Sequence, residues 1–160
     1  MTPAFKILLV EDDENERILA MRAIEQAGTD CEVSICRDGV EACDHLFDSG
    51  HAPPSLILLD LKMPKLNGFE VLERIRTSSR IYRTPVVILS SSDDPRDIDR
   101  AAELYANSYV YKHPDPRVYR SSLKLLLYYW MAVDIQRPPN QPSDRFGADL
   151  FPWIQGRRSG

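Results

Sequence analysis

A run of four aliphatic residues that ends in a carboxylate, LILLD at positions 56–60, constrains the fold of this chain more than any other stretch. Such a run is typical of a strand that is buried on both faces of a sheet. A carboxylate after a buried strand is costly unless the strand ends at an open crevice, where open α/β sheets bind ligands. Asp60 is therefore a candidate site residue, although on this evidence alone it could equally cap the turn that leads to Pro64.

Three other segments repeat this arrangement of an apolar run followed by a polar or charged side chain. Residues 5–10 (FKILLV) precede Glu11 and Asp12, residues 86–89 precede Ser90, and residues 109–111 precede Lys112. Residues 31–36 instead alternate between apolar and polar side chains, which is typical of a half-buried strand near the edge of a sheet. We therefore predict five strands.

Segments with a helical spacing of apolar residues separate the predicted strands and follow the last one. The predicted helices cover residues 14–27, 38–47, 67–76, 94–105 and 117 to 135. Asp38 and Glu41 have the spacing of a capping box, and Asp94 and Asp115 are each followed by a proline that suits a first helical turn. The alternation predicts an α/β protein, a flavodoxin-like doubly wound (βα)5 sandwich with a parallel sheet of order 2-1-3-4-5.

The length and charge of the chain limit its organisation and its partners. At 160 residues it can form one well-packed domain, predicted at residues 1–135, and an extension at 136–160 that is too short for a DNA-binding output domain. A net charge of -4 argues against a nucleic-acid surface, because phosphate binding needs clustered Lys and Arg. No apolar segment resembles a signal peptide or a membrane span, so we expect a cytoplasmic protein with free cysteines.

The polar residues after the strands are expected to meet, because the carboxyl ends of parallel strands share one edge of the sheet. The carboxylates of Glu11, Asp12 and Asp60 would repel each other there unless a cation lay among them, and oxygen ligands of this kind suit Mg²⁺. Ser90 and Lys112 add a hydroxyl and an ammonium, which can bind the oxygens of a transferred phosphoryl group. Asp60, central among them, is then the expected acceptor of that group.

The motifs at these positions resemble the receiver domain of two-component response regulators over residues 5–135. The matching stretches are VEDD at 10–13, LLDLKMPKLNGFEVL at 58–72, VVILSSS at 86–92 and YVYK at 109–112. The resemblance implies that Asp60 accepts the phosphoryl group and that Ser90 and Lys112 are the family's hydroxyl and lysine. It also implies that Asp12 binds Mg²⁺ directly, Glu11 through water, and Lys62 through its carbonyl oxygen.

A narrower resemblance concerns the partner of the protein. ANSYVYK at 106–112 and LLLYYW at 125–130 are similar to the small single-domain regulators that pair with bacterial phytochrome histidine kinases. This implies a signalling protein, not an enzyme, that a phytochrome-type kinase phosphorylates and that acts through protein contacts. The family usually has Pro directly after its lysine, often with a cis peptide bond, whereas His113 follows Lys112 here. A cis bond before His113 would cost about 2.5–4 kcal/mol, so a trans bond or a strained loop is expected.

Two other classes of function stay open at this point. An aspartyl-phosphate phosphatase of the haloacid dehalogenase type also uses an Asp after a buried strand together with Mg²⁺. Such enzymes usually carry a second Asp two positions later, where this chain has Lys62. The other class is an interaction module that is never phosphorylated. One stable phosphoryl group per chain, in contrast to continuous phosphate release or no reaction, would distinguish the receiver from both.

The last predicted helix carries more apolar surface than one sheet contact requires. Residues 125–133 (LLLYYWMAV) are apolar or aromatic throughout, whereas a helix on a sheet needs an apolar stripe of only about 100°. Leu123, Leu127 and Trp130 have the spacing of the face toward the sheet, which leaves Tyr128 and Tyr129 toward solvent. Exposed aromatic patches often mark partner surfaces, so we predict a homodimer through this helix. The alternative is that residues 136–160 cover the patch.

Overall fold

The computed structural model of the protein describes residues 5–27 and 30–133. Five strands and five helices alternate along this part of the chain, as predicted, and a π-helical turn follows the last helix. The strands are β1 Phe5–Val10, β2 Cys31–Cys36, β3 Leu56–Asp60, β4 Val86–Ser90 and β5 Ser108–Tyr111. The helices are α1 Glu14–Gln26, α2 Gly39–Phe47, α3 Gly68–Thr77, α4 Pro95–Glu103 and α5 Pro116–Tyr128, and the π-helical turn is Tyr129–Val133.

The five strands form one parallel sheet in the order β2-β1-β3-β4-β5, which confirms the predicted topology. Two apolar clusters cover its faces. One packs α2, α3 and α4 against the sheet, and the other packs α1 and α5 against the opposite face. The sheet therefore lies between two helical layers, and the carboxyl ends of β1, β3, β4 and β5 meet along one edge.

The central position of β3 explains its continuous aliphatic sequence. Ile57 and Leu59 belong to the cluster under α2, α3 and α4, while Leu56 and Leu58 belong to the cluster under α1 and α5. All four side chains are completely buried. Burial of one such side chain contributes about 1.5–3 kcal/mol, so this strand anchors both halves of the core. Asp60 is then the first position at which the strand reaches the open edge.

The helices begin at polar caps, and one of these differs from the prediction. Asp38 caps α2 by accepting the Val40 and Glu41 N–H groups, but the Glu41 carboxylate accepts the Arg37 N–H, so the predicted capping box is incomplete. The strongly extended backbone of Asp38, with φ −154°, presents the Arg37 N–H to Glu41 in place of its own. A complete capping box forms instead at Asn67 and Glu70, at the start of α3.

The last helix ends its described part in a π-helical turn. Its α-helical part ends at Tyr128, the π-helical turn continues to Val133, and the predicted end near residue 135 lies outside the described residues. Leu123 and Leu127 are fully buried and Trp130 packs partly against the same cluster, as the spacing predicted. Tyr128 and Tyr129 remain 53% and 50% exposed. Among the described helices, none has the length and apolar character needed to cross a membrane.

Candidate functional site

Three carboxylates meet at the carboxyl edge of the sheet. Glu11 directly follows β1 and Asp60 ends β3, and these two strands are neighbours in the sheet. One carboxylate oxygen each from Glu11, Asp12 and Asp60 lies within 4.8 Å of the other two. Glu11 and Asp60 are buried, whereas Asp12 is exposed to solvent. The cluster thus has two acids inside the protein and one at its open side.

Lys112 supplies the positive charge that faces the two buried acids. Its Nζ lies 2.6 Å from Glu11 Oε2 and 3.2 Å from Asp60 Oδ1. The lysine follows β5, and its backbone N–H donates to the Ser90 carbonyl oxygen at 2.7 Å, which continues the pairing of β4 with β5. The ammonium group is therefore held by the sheet itself and is only 10% exposed.

The site has less positive than negative charge. Burial, followed by the charge of Asp60, raises the pKa of Glu11 to about 7. Burial also raises the pKa of Asp60, although Lys112 opposes this effect. Burial works against the charge on Lys112, but Asp60 and Glu11 outweigh it and raise its pKa. One ammonium group thus neutralises the buried acids incompletely, and the oxygen-rich cluster fits a divalent cation.

The loop after β1 is held in place by Arg17, a residue that no sequence motif indicated. Its Nη1 donates to the backbone carbonyl oxygens of Glu11 and Asp12, at 3.0 and 2.7 Å. The Asp13 N–H donates to Glu11 Oε1 at 3.2 Å, so both backbone and side chain of Glu11 are fixed. An arginine one helical turn into α1 therefore orients two of the acids.

The loop after β3 packs closely on Asp60. The Lys62 N–H donates to the Asp60 carboxylate, and Lys62 itself is exposed at the rim of the site. Gly68 begins α3 so near this strand that a Cβ would overlap the Asp60 carbonyl oxygen and the Leu61 Cα. The small residue therefore lets α3 begin directly against the end of β3.

Ser90 and His113 complete the set of residues around the acids. Ser90 is fully buried at the end of β4, and its Oγ accepts the Ser92 N–H at 3.1 Å. In the described part of the chain its hydroxyl is not hydrogen-bonded to Asp60. The described residues contain no cis peptide bond, so the bond between Lys112 and His113 is trans. His113 Nδ1 accepts the Asp115 N–H at 3.0 Å, outside the acidic cluster.

Residues 7–124 match the family model described as the response regulator receiver domain. The chain is 37% identical over 130 residues to the probable methanogenesis regulatory protein FilR2 of Methanothrix harundinacea, covering 79% of this chain and 84% of that protein. It is 39% identical over 114 residues to the response regulator Rcp1 of Synechocystis, covering 69% of this chain and 78% of Rcp1.

Two solved structures resemble the fold described above. The Mn²⁺-bound form of Rcp1 superposes with a TM-score of 0.80 at 31% identity, over 83% of this chain and 99% of that one. The phosphorylated cyanobacterial phytochrome response regulator RcpA superposes with a TM-score of 0.78 at 33% identity, over 82% of this chain and 97% of that one.

Proposed function

We propose that this chain, which belongs to the response regulator receiver domain family, is a single-domain response regulator that accepts a phosphoryl group on Asp60 from a histidine kinase. One observation carries the proposal: a buried carboxylate at the end of the central strand lies beside two further acids and within 3.2 Å of a buried ammonium group. This arrangement suits a nucleophile whose product is an anion. The receiver domain is assigned to residues 1–135, with 136–160 as an extension.

The chemistry proposed for Asp60 is a phosphoryl transfer from a phosphohistidine. A carboxylate oxygen of Asp60 forms a bond to phosphorus, the bond between phosphorus and the histidine nitrogen breaks, and its electron pair stays on the imidazole. Lys112 and Ser90 supply an ammonium and a hydroxyl that can donate to the oxygens of the transferred group. Because Lys112 is already held beside Asp60, little reorganisation is required during transfer.

The acidic cluster is proposed to bind Mg²⁺. Glu11, Asp12 and Asp60 would hold the ion through their side chains, with Glu11 acting through water, and Lys62 would contribute its carbonyl oxygen. The bound ion supplies positive charge where the phosphoryl oxygens carry negative charge. The raised pKa of Glu11 supports a cation site, since the buried acids lack sufficient positive charge. The Mn²⁺-bound structure of Rcp1 supports a divalent ion.

The similarity to Rcp1 and to RcpA supports a phytochrome-type histidine kinase as the donor. We further propose that the protein signals through protein contacts and not as an enzyme, as receiver domains generally do. The phosphatase alternative is not favoured, because the receiver family match covers residues 7–124 and Lys62 stands where such enzymes have their second Asp.

Replacing Asp60 with Asn tests this function. The parent protein, incubated with Mg²⁺ and a small phosphodonor, is expected to gain one base-labile phosphoryl group, and Asp60→Asn is expected to gain none because the amide is not a nucleophile here. Mass spectrometry of intact protein and of its peptides measures both. Asp99→Asn, at an exposed acid on α4 outside the cluster, is the matched control and is expected to react as the parent does. A phosphoryl group found on another residue of the parent would disprove the assignment.

The exposed side of α5 is proposed to form a homodimer. Leu125 is 72% exposed, and Tyr128 and Tyr129 are about half exposed, so an apolar and aromatic strip lies on the surface of the described part of the chain. In a two-fold symmetric dimer the same strip from each chain would pack together. Aromatic residues of this kind are enriched at the centres of protein interfaces.

Light scattering at micromolar concentration tests the dimer. The full-length protein is expected to have a dimeric mass, and Leu125→Glu is expected to be monomeric because two carboxylates would be buried without partners. Ile35→Glu, at a 45% exposed apolar position on the edge strand β2, is the control and is expected to stay dimeric. A monomeric parent that dimerises only after truncation at Gln136 would show that the extension, and not a second chain, covers α5.

A further inference from the structure

The loop that follows β3 contains a turn that is unusual for a residue with a side chain. Lys65 has φ +66°, and the Leu66 N–H donates to the Pro64 carbonyl oxygen at 2.8 Å. A hydrogen bond between residues two apart, around a positive φ, has the form of a classic γ-turn, which is rare and strained. Such a conformation persists only where surrounding contacts hold it.

The contact that holds this turn is an ion pair with Asp38. Lys65 Nζ lies 2.5 Å from Asp38 Oδ2, while Asp38 Oδ1 accepts the Val40 and Glu41 N–H groups, each at 2.9 Å. The Asp38 side chain is only 9% exposed, and as the N-cap of α2 it is fixed to the helix. Lys65 is therefore paired with an acid whose side chain is held in place by the start of α2.

Gly39 provides a second contact between the same two loops. A Cβ at Gly39 would overlap the carbonyl oxygen and the Cβ of Leu66, so the two backbones approach as closely as a glycine permits. Lys65 and Leu66 come shortly after Lys62, whose N–H donates to the Asp60 carboxylate. The loop that carries Lys62 is thus in contact with the start of α2, outside the acidic cluster.

We propose that Asp38 and Lys65 are positioning residues for the metal and phosphoryl site, because their ion pair holds the turn that presents Lys62. This inference rests on the proposed function, in which the Lys62 carbonyl oxygen binds Mg²⁺. Neither residue belongs to the acidic cluster. Loss of the pair leaves all three carboxylates and Lys112 in place but releases the strained turn, so Mg²⁺ affinity falls while the protein stays folded.

Calorimetric titration of the full-length protein with Mg²⁺ tests the proposal. Lys65→Met is expected to weaken binding by about fivefold, the upper range for a partly exposed ion pair. Lys65→Arg keeps the charge and is expected to restore binding to nearly the parent value. Lys65→Gly is expected to bind more tightly than Lys65→Met, since glycine adopts the positive φ without strain and keeps the turn without the ion pair.

Lys6→Met is the matched control, because it removes another exposed lysine whose 3.4 Å pair with Glu32 joins β1 and β2. It is expected to bind Mg²⁺ as the parent does. Parent affinity in Lys65→Met, a loss in Lys65→Gly as large as in Lys65→Met, or an equal loss in Lys6→Met would overturn the positioning role. A parent protein that binds no Mg²⁺ and gains no phosphoryl group would instead contradict the proposed function itself, so the two failures are distinguishable.

Discussion

Two largely buried cations lie near opposite edges of the sheet, and their partners differ in kind. Lys112, at the carboxyl edge, pairs with the carboxylates of Glu11 and Asp60. Arg76 lies at the amino edge, where the strands begin. In the described part of the chain its hydrogen bonds go to neutral oxygens. These are the carbonyl oxygens of Tyr82, Thr84 and Tyr105 and the side-chain oxygen of Asn107. The same sheet therefore carries one cation among acids and one among amide groups.

The bonds of Arg76 join three segments of the amino edge. Its Nη1 lies 2.9 Å from Tyr82 O and 2.8 Å from Thr84 O, and its Nε and Nη2 bind Tyr105 O at 3.1 and 2.9 Å. Tyr105 has φ +59° directly after α4, at a position where glycine is usual. Burial lowers the pKa of Arg76, but an arginine remains charged in proteins. Arg76 thus stabilises the fold without any group that titrates near neutral pH.

The difference shows what makes one edge reactive. Neutral oxygens accept the hydrogen bonds of Arg76 and add no negative charge. A metal ion would therefore not stabilise the amino edge. Lys112 carries one positive charge against two buried acids, so a further cation would stabilise the carboxyl edge, and the stability of this edge is expected to depend on pH. Substitutions at one edge are therefore expected to leave the properties of the other edge unchanged.

The largest expected effect is the pH dependence of stability at the carboxyl edge. Burial and Asp60 raise the pKa of Glu11 from 4.5 to about 7 in the metal-free protein. Between these values the folded protein holds a proton that the unfolded chain has released, so the free energy of unfolding falls as pH rises. The whole window corresponds to about 3 kcal/mol. Urea unfolding in the presence of a chelator, from pH 4.5 to 7.5, measures this loss.

Glu11→Gln is the control for that experiment, because the amide has no proton to release in this range. The free energy of unfolding of Glu11→Gln is expected to change little between pH 4.5 and 7.5. Arg76→Met is expected to show the same decline with rising pH as the parent. Parallel curves for the parent and Glu11→Gln would contradict the prediction.

The second effect concerns the rate of phosphorylation. Lys112→Met removes the ammonium beside Asp60 and is expected to slow the reaction with a small phosphodonor about a hundredfold, which corresponds to about 2.7 kcal/mol of lost stabilisation of the reacting anion. Mass spectrometry of samples quenched at successive times, at saturating Mg²⁺, measures the rate of phosphorylation. Arg76→Met, studied below its unfolding transition, is expected to react at the parent rate. Similar losses in both variants would mean that the two cations do not differ in role.

The smallest expected effect is the loss of stability at the amino edge. Arg76→Met leaves several backbone carbonyl groups without their donor and is expected to lower the free energy of unfolding by about 2 kcal/mol, equally at pH 5 and pH 7.5. Denaturant unfolding measures it. Arg96→Met makes the same substitution at a side chain that is 89% exposed and is expected to change little. A loss that varied with pH would show that Arg76 has a titrating partner.

Much of the fold was predictable because its signals are local. Continuous burial of β3 requires an aliphatic run, and the Asp-Pro pairs at 94–95 and 115–116 cap their helices as predicted. At α2 only half of the predicted capping box forms, because the Glu41 carboxylate accepts the N–H of Arg37 and not that of the cap residue Asp38. The change from α-helical to π-helical geometry after Tyr128 was not predicted, because apolar periodicity does not distinguish the two kinds of turn.

The candidate site was predictable to the extent that it consists of strand ends. Glu11, Asp12 and Asp60 each stand at or directly after a strand, and parallel topology alone brings them to one edge. The roles assigned to these residues, and to Ser90, Lys62 and Lys112, stay predictions for the experiments above. No comparable signal marked Arg17, which reaches the site from inside a helix.

The sequence by itself determined which segments are strands and helices and which acids stand at the strand ends, because hydrophobic period and caps act between residues close in the chain. Only the tertiary structure decided which cation meets which partner. Lys65 reaches Asp38 across 27 positions, Arg76 reaches Tyr105 across 29, and Lys112 reaches Glu11 across 101. These pairs depend on how the loops pack at the two edges of the sheet. A local sequence pattern carries no information about contacts between residues so far apart in the chain.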